Sequence, residues 1–277
     1  MKQLIERTEY NETIQIAKNI DETYDESVMF HCFWNGTLNE KHLYSILSCY
    51  YFNVYKNKHK IILWLENNIP NEYNHEIEKY AEIRYFSCYD ETKATGFLTY
   101  PVHHNPILSF YSDLVRCLLL YNYGGIWFDL DCFFLRCFDP LFYHYGKEIC
   151  VYQWENEHYP NNAIFISLET KSKRMKDIIE YILDRNRGWG FQEANLTYDS
   201  PIDLLVLPCS WFDSVWINSS GSISLSVFFE TTEVKYDFEH FFKGSFCYHW
   251  HNNWNKPIEK NSIILQLVNI IQTSIKG

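Results

Sequence analysis

Short apolar runs alternating with longer segments of helical period constrain this chain more than any other feature. Residues 28–34 (VMFHCFW) read as a buried strand ended by the turn Asn35-Gly36. Residues 61–66 and 83–88 read as two further strands, and residues 38–55 and 72–81 between them carry helical spacing. Strand, helix, strand, helix, strand is the start of a parallel sheet with crossover helices. After a polar connection over 89–106, residues 107–123 form a strongly apolar helix that Gly124-Gly125 stops as a left-handed cap, and 126–130 (IWFDL) follow as a strand. Further strands are expected at 149–154, 163–167 and 204–207, a helix at 172–186 and a hairpin within 222–234. With no internal repeat and no long linker, the reading is one α/β domain over 26–260. A helical extension (1–25) precedes it, and an apolar helix (261–277) follows and packs on it.

Composition narrows the function classes. An apolar share of 47% over 277 residues fills a sizeable core and excludes a disordered chain. A formal net charge of −11 argues against a general nucleic-acid binder, so an anionic ligand would need a cation to hold it. The nine cysteines are scattered without CxxC pairs, which speaks against a zinc cage or a disulfide framework. The start MKQLIERTEYNETIQ lacks the apolar core of a signal peptide, and no apolar run reaches the length of about 18 residues that reads as a membrane span. The N-x-S/T triplets at Asn11, Asn35, Asn195 and Asn218 are then chance occurrences in an Asn-rich chain. The expectation is a reduced, cytoplasmic protein. The apolar stretch 261–275 is too short to cross a bilayer as a helix. Packing on the domain is its simplest use; a peripheral membrane contact is the alternative, although few Lys or Arg residues flank it.

The chemistry concentrates in residues 112–135, SDLVRCLLLYNYGGIWFDLDCFFL. Asp129 and Asp131 stand at i and i+2 where a strand ends, a spacing that sends both carboxylates to one side. Two buried carboxylates repel unless a divalent cation joins them, and Mg²⁺ or Mn²⁺ prefers carboxylate oxygen plus ligand phosphate. Open α/β sheets bind ligands at the carboxyl ends of their strands, which is where this pair falls. On the preceding helix Asp113 and Arg116 form an i, i+3 charge pair on an otherwise apolar face, as residues bordering a polar cavity would.

The pattern S-D-x-x-R-x-x-x-L-Y-x-x-G-G-I-x-x-D-x-D resembles the DxD sugar-binding signature of glycosyltransferase family 32 and its relatives. These relatives include initiating α-1,6-mannosyltransferases, α-1,4-galactosyltransferases and the glucosylating domains of clostridial toxins. Two flanking segments are similar as well. FHCFWNGTLNEKHLYSILS (30–48) resembles the family's opening strand, with His31, Trp34 and Gly36 on its positions. YHWHNNW (248–254) resembles the closing H-H-W-x-x-S-W, with Tyr248 in place of the first His and Asn253 in place of the Ser. PNNAIFIS (160–167) resembles the strand in which an Asn faces the sugar, and Asn162 is the better match.

The resemblance implies a GT-A fold, Rossmann-like, with a mostly parallel central sheet flanked by helices. It implies a metal-dependent hexosyltransferase that uses a nucleotide-sugar donor, UDP-hexose or GDP-mannose, and retains anomeric configuration. Asp129 and Asp131 would be ligands of Mn²⁺ or Mg²⁺ with His249 as the third, His251 and Asn253 being the alternatives. Asp113, Arg116 and Asp131 would carry the catalytic roles. Trp34, Asp113, Arg116, Gly125, Asp129, Asn162 and Trp254 would form the donor site, with Trp34 stacked on the base. Expected partners are the donor and a glycan, lipid-linked or protein acceptor. Competing classes are a non-catalytic carbohydrate-binding protein on a decayed enzyme fold and a metal-dependent phosphohydrolase. The intact Asp113, Arg116, Asp129 and Asp131 argue against the first, and the lack of further Asp/His ligand motifs against the second.

Overall fold

A computed structural model of the chain describes residues 2–3, 10–55, 57–67, 69–93, 95–96, 108–154, 159–185, 202–216 and 225–277. Its elements in chain order begin with β1 (Lys2–Gln3), α1 (Tyr10–Asn19), β2 (Met29–Trp34), α2 (Glu40–Asn53) and β3 (Lys60–Leu65). They continue with α3 (Glu72–Ile77), β4 (Glu82–Tyr85), α4 (Cys88–Lys93), α5 (Leu108–Tyr123), β5 (Gly125–Phe128) and β6 (Cys132–Phe134). The last are α6 (Asp139–Tyr145), β7 (Cys150–Tyr152), β8 (Asn161–Ser167), α7 (Lys173–Arg185), β9 (Leu205–Leu207), β10 (Cys247–His249) and α8 (Ile263–Lys276).

Among the described residues the central sheet has eight strands in the order β1-β9-β7-β8-β5-β2-β3-β4, and β10 and β6 form a separate antiparallel pair. Strands β5, β2, β3 and β4 run parallel, and only β8 opposes its neighbours β5 and β7. Strand alternation feeds two cores. In β3, Ile61, Leu63 and Leu65 point into one apolar cluster, and Ile62 and Trp64 into another on the opposite face. The second face is covered by α5 and α7, through Leu114, Leu118, Ile178 and Ile182. Burial on both faces explains why these strands read as near-continuous apolar runs.

Gly124 and Gly125 are where α5 turns into β5. Gly124 adopts φ +64° with its N–H on Leu120 O at 2.9 Å, the expected left-handed cap. A Cβ on Gly124 would lie 2.3 Å from Leu168 O, and one on Gly125 2.2 Å from Met29 O, so no other residue fits. His31 reinforces the junction. Its Nδ1 accepts the Trp64 indole N–H at 3.1 Å, which fixes the proton on Nε2, and Nε2 donates to Gly124 O at 3.0 Å. Burial pushes this imidazole down to about 4, so it is neutral.

The N-terminal segment is more than an extension. Its two-residue strand β1 pairs in parallel with β9, and Ile14, Ala17 and Ile20 of α1 and the turn after it are buried. The Trp211 indole donates to Thr13 O at 2.8 Å, and the Arg136 guanidinium reaches Ile20 O at 2.6 Å. The hairpin expected within 222–234 is not formed by the described part, where Leu225–Phe229 is a 3-10 turn. Phe228 and Phe229 draw it into a ring cluster with Phe241, Tyr248 and Trp250, which an extended hairpin would leave in water. Helix α8 closes that same cluster with Ile263, Ile264, Leu267, Val268 and Ile271. Their spacing makes a single apolar face against α2, with Asn269, Gln272, Thr273 and Ser274 on the exposed side. No helix among the described residues is long and apolar enough to cross a membrane.

Candidate active site

The D-x-D segment leaves the sheet in a turn, not by strand alternation. Strand β5 ends at Phe128; Asp129 N–H still pairs with Ala163 O at 2.8 Å, and Cys132 N–H closes the turn on Asp129 O at 2.9 Å. Strand β10 then brings in the C-terminal motif. It pairs antiparallel with β6 so that His249 stands opposite Cys132, and Trp250 N–H donates to Asp131 O at 3.0 Å. This register puts His249 Nε2 3.1 Å from Asp131 Oδ1. Beyond it, His251 (φ 49°) and Asn252 (φ 54°) both adopt left-handed backbone. That uncommon pair of conformations aims the Asn252 N–H at Asp131 Oδ2, 2.8 Å away.

Helix α5 supplies the facing wall. Asp113 and Arg116, three residues apart, lie on one face with Arg116 Nε 3.4 Å from Asp113 Oδ1. The Arg116 fork also donates to Asn162 O and Oδ1, both at 2.6 Å, and to the Ser112 hydroxyl at 3.2 Å. Its Nη2 is 3.3 Å from Asp129 Oδ1, which also accepts the Trp127 indole N–H at 2.6 Å. Asn162 closes the circuit by donating to Asp113 Oδ1 at 2.8 Å. The expected charge pair is therefore part of a larger network that also takes in Ser112, Trp127, Asp129 and Asn162.

These walls enclose a cleft of about 680 Å³ at the carboxyl ends of β2 and β5, lined by Trp34, Asp113, Arg116, Asp129, Asp131, Asn162, His249, His251 and Trp254 among others. Its aromatic end is a packed trio. The Trp254 ring stacks on His42 at 4.4 Å and 15°, and Trp34 meets His42 edge-on at 4.2 Å and Trp254 at 5.0 Å. Under this loop the Lys41 ammonium donates to the carbonyls of Asn253, Trp254 and Lys256 and sits 3.9 Å from the Phe229 ring centre. An ammonium satisfied by three carbonyls pins the loop that carries Trp254.

The two carboxylates are electrostatically unlike. Burial pushes Asp129 up against the pull of Arg116, while for Asp131 the opposing effect of burial is overcome by His249, which holds it below the usual range. Burial alone would lower His249, but Asp131 and Asp213 raise it, so the ion-free imidazole is held as the cation.

Residues 48–148 match a family model described as the glycosyltransferase sugar-binding region containing the DXD motif. That stretch of the chain is similar to a DXD-type glycosyltransferase region. The galactosyltransferase LgtC, solved with donor and acceptor sugar analogues, is similar over 88% of this chain and 95% of its own, at 8% identity and a TM-score of 0.50. Mouse xyloside xylosyltransferase 1 is similar over 84% of this chain and all of its own, at 12% identity and a TM-score of 0.48. The PaToxG glycosyltransferase is similar over 68% of this chain and 73% of its own, at 15% identity and a TM-score of 0.45. No curated protein matches the sequence. The fold is GT-A.

In this glycosyltransferase fold the cleft collects Trp34, Asp113, Arg116, Asp129, Asp131, Asn162, His249 and Trp254. Gly125, expected in the donor site, is buried in the sheet against Met29 O and does not line the cleft. Asn253 turns away, its amide donating to the carbonyls of Trp250 and His251. His251 lines the cleft, with Nε2 2.8 Å from Asp213 Oδ2. Asp213 is absent from the sequence-based site. It is fully buried between 3-10 turns and accepts from His251, the Trp154 indole (2.7 Å) and the Tyr152 hydroxyl (3.4 Å). A lone acid inside the apolar run LPCSWFDSVW is the signal that could have found it.

The donor set suits a hard cation. Ligand atoms of Asp131, His249 and Cys132 lie within 4.8 Å of one another. Burial pushes the Cys132 thiol up, and its sulfur is a soft donor that suits Mg²⁺ or Mn²⁺ poorly, so the ligands that fit such a cation are a carboxylate and an imidazole. Asp129 is outside this cluster, drawn to Arg116 and Trp127, but 29% of its side chain stays open to solvent. One or two carboxylates with room for phosphate oxygens is how Mg²⁺ and Mn²⁺ are usually held.

Proposed function

We propose that this chain is a metal-dependent hexosyltransferase, taking a hexose from a UDP- or GDP-linked donor to a glycan, lipid-linked or protein hydroxyl with retention of configuration. One observation carries the reading. A single cleft at the strand ends joins the Asp131–His249 cation pair, the Asp113–Arg116–Asn162 network and the Trp34–Trp254 aromatic end. These suit, in order, a diphosphate with its cation, the hydroxyls of a sugar, and a base.

The cation would be held by Asp131 and His249, with Asp129 at the rim, and when bound it supplies charge neutralisation to the diphosphate. Asp113 and Asn162 present acceptor and amide groups to the sugar hydroxyls, and Arg116 holds both in place. The carboxylates of Asp113 and Asp129 give this end of the cleft a negative wall, suited to the positive charge that develops on a sugar carbon as its glycosidic bond breaks. Trp34 and Trp254 offer apolar faces to a base, and such stacking is tolerant of base identity. A front-face route needs no side-chain base, because the departing phosphate accepts the proton of the acceptor hydroxyl.

The test is a thermal-stability panel of nucleotide sugars, each with and without Mn²⁺. A UDP-hexose or GDP-mannose that raises Tm only with Mn²⁺ present supports the reading. No stabilisation by any nucleotide sugar with Mn²⁺ would overturn it.

A further inference from the structure

Asp213 stands behind the cleft wall and makes no part of the lining, yet its bonding runs toward it. Its carboxylate is fully buried and accepts from His251 Nε2 (2.8 and 2.9 Å), Trp154 Nε1 (2.7 Å) and the Tyr152 hydroxyl (3.4 Å). A buried charge is costly unless it is paired and hydrogen-bonded, so a carboxylate in this place has to be explained by what it holds.

The imidazole of His249 lies between two carboxylates. Its Nε2 faces Asp131 Oδ1 at 3.1 Å; its Nδ1 faces the Tyr152 oxygen at 3.1 Å and Asp213 Oδ2 at 3.6 Å. A neutral imidazole can offer Nε2 to a cation only when its proton is on Nδ1. Tyr152 is the link that decides this. With its O–H committed to Asp213, the phenol oxygen has only lone pairs for His249, so Nδ1 must be the donor. Without the Asp213 acceptor the hydroxyl is released to donate to Nδ1, which favours the proton on Nε2 and blocks the ligand position.

We propose that Asp213, acting through Tyr152, is a positioning residue that holds His249 as the Nδ1–H tautomer with its Nε2 lone pair turned to a cation beside Asp131. This rests on the metal-dependent reading given above. The arrangement is a carboxylate–histidine–metal relay with a phenol inserted in it, and outer partners of that kind usually change metal affinity about 10–100-fold when removed. Asp213 also anchors His251 and Trp154 of the cleft wall, so one buried carboxylate orients three lining or ligating side chains.

The experiment titrates wild type, Asp213→Asn and Tyr152→Phe with Mn²⁺ in calorimetry, without any sugar nucleotide. In parallel, long-range ¹H–¹⁵N spectra of the ¹⁵N-histidine proteins in Mg²⁺ read the tautomer of His249. The wild type is expected to bind Mn²⁺ with His249 as Nδ1–H. Asp213→Asn should bind it about 10–100-fold more weakly and shift His249 toward Nε2–H. Should Asp213→Asn not fold, Tyr152→Phe decides alone: it deletes only the linking hydroxyl and should weaken Mn²⁺ in the same direction. Folded variants that bind Mn²⁺ as the wild type does, or a Mg²⁺-bound wild type with His249 as Nε2–H, would overturn the inference but leave the metal reading intact. A wild type that binds neither Mn²⁺ nor Mg²⁺ would overturn both.

Discussion

Arg116 Nη2 lies 3.3 Å from Asp129 Oδ1, and its Nε lies 3.4 Å from Asp113 Oδ1. A single buried cation thus balances two carboxylates from different elements. Arg116→Met should therefore cost about 3–5 kcal/mol of stability, the usual penalty for breaking a buried pair and leaving charge uncompensated. Urea denaturation at neutral pH measures it. A loss below about 1 kcal/mol, as for an exposed pair, would show that water already solvates the network.

Trp34 borders the cleft with its ring braced by His42 and Trp254. Trp34→Ala should weaken binding of the free nucleoside diphosphate by about 1–3 kcal/mol, the worth of one base–aromatic stack. The nucleotide sugar should weaken equally, since the contact is to the base. Unchanged affinity by calorimetry alongside a lowered Tm would make Trp34 a packing residue only.

Helix α8 buries Leu267 fully in the aromatic cluster, so Leu267→Ala should cost about 2–5 kcal/mol. Deleting residues 261–277 removes five buried aliphatic side chains at once, and at about 1.5–3 kcal/mol each that approaches the whole stability of a typical domain. The truncated chain should fail to give a cooperative melt. A truncation that melts like the full chain but no longer sediments with vesicles would instead assign the helix to a membrane surface.

His31 makes stability pH-dependent. Its folded value of about 4 is below the ordinary 6.5, so between the two the unfolded chain binds the extra proton and stability falls as pH is lowered. At about 1.4 kcal/mol per pH unit the loss reaches about 3 kcal/mol near pH 4. His31→Gln should be less stable at pH 7 but lose less on acidification from 7 to 4.5. Parallel slopes for the two proteins in denaturant melts would exclude His31 as the source.

What the sequence disclosed follows from where information is local. The parallel strands, α5 and its glycine cap are written in apolar runs and in residues that alone fit, such as Gly124 and Gly125. Asp113 and Arg116 are one helical turn apart in sequence, so their contact could be read directly. Gly125 packs against Met29 and does not line the cleft, and a glycine required by such packing looks the same in a motif as one required by a ligand. The turn at 129–131 replaces strand geometry because Cys132 N–H pairs with Asp129 O, a bond no periodicity announces. Asp213 stayed hidden because its partners, Tyr152, Trp154 and His251, come from distant segments and meet only through the fold. The strand β1 is two residues long, too short for any period.

The most direct test is turnover by Asp131→Asn beside the wild type. Asp131 is buried, pairs with His249 at 3.1 Å and accepts the Asn252 N–H, and asparagine keeps its shape while removing its charge. The assay follows release of nucleoside diphosphate from whichever nucleotide sugar stabilises the wild type, with Mn²⁺ present and Tm recorded for both proteins. A fall of at least about a hundredfold in a variant that still melts cooperatively is the expected result, given what losing one preorganised electrostatic contact costs. Wild-type turnover by the folded variant would contradict a cation held at Asp131 and, with it, the proposed mechanism.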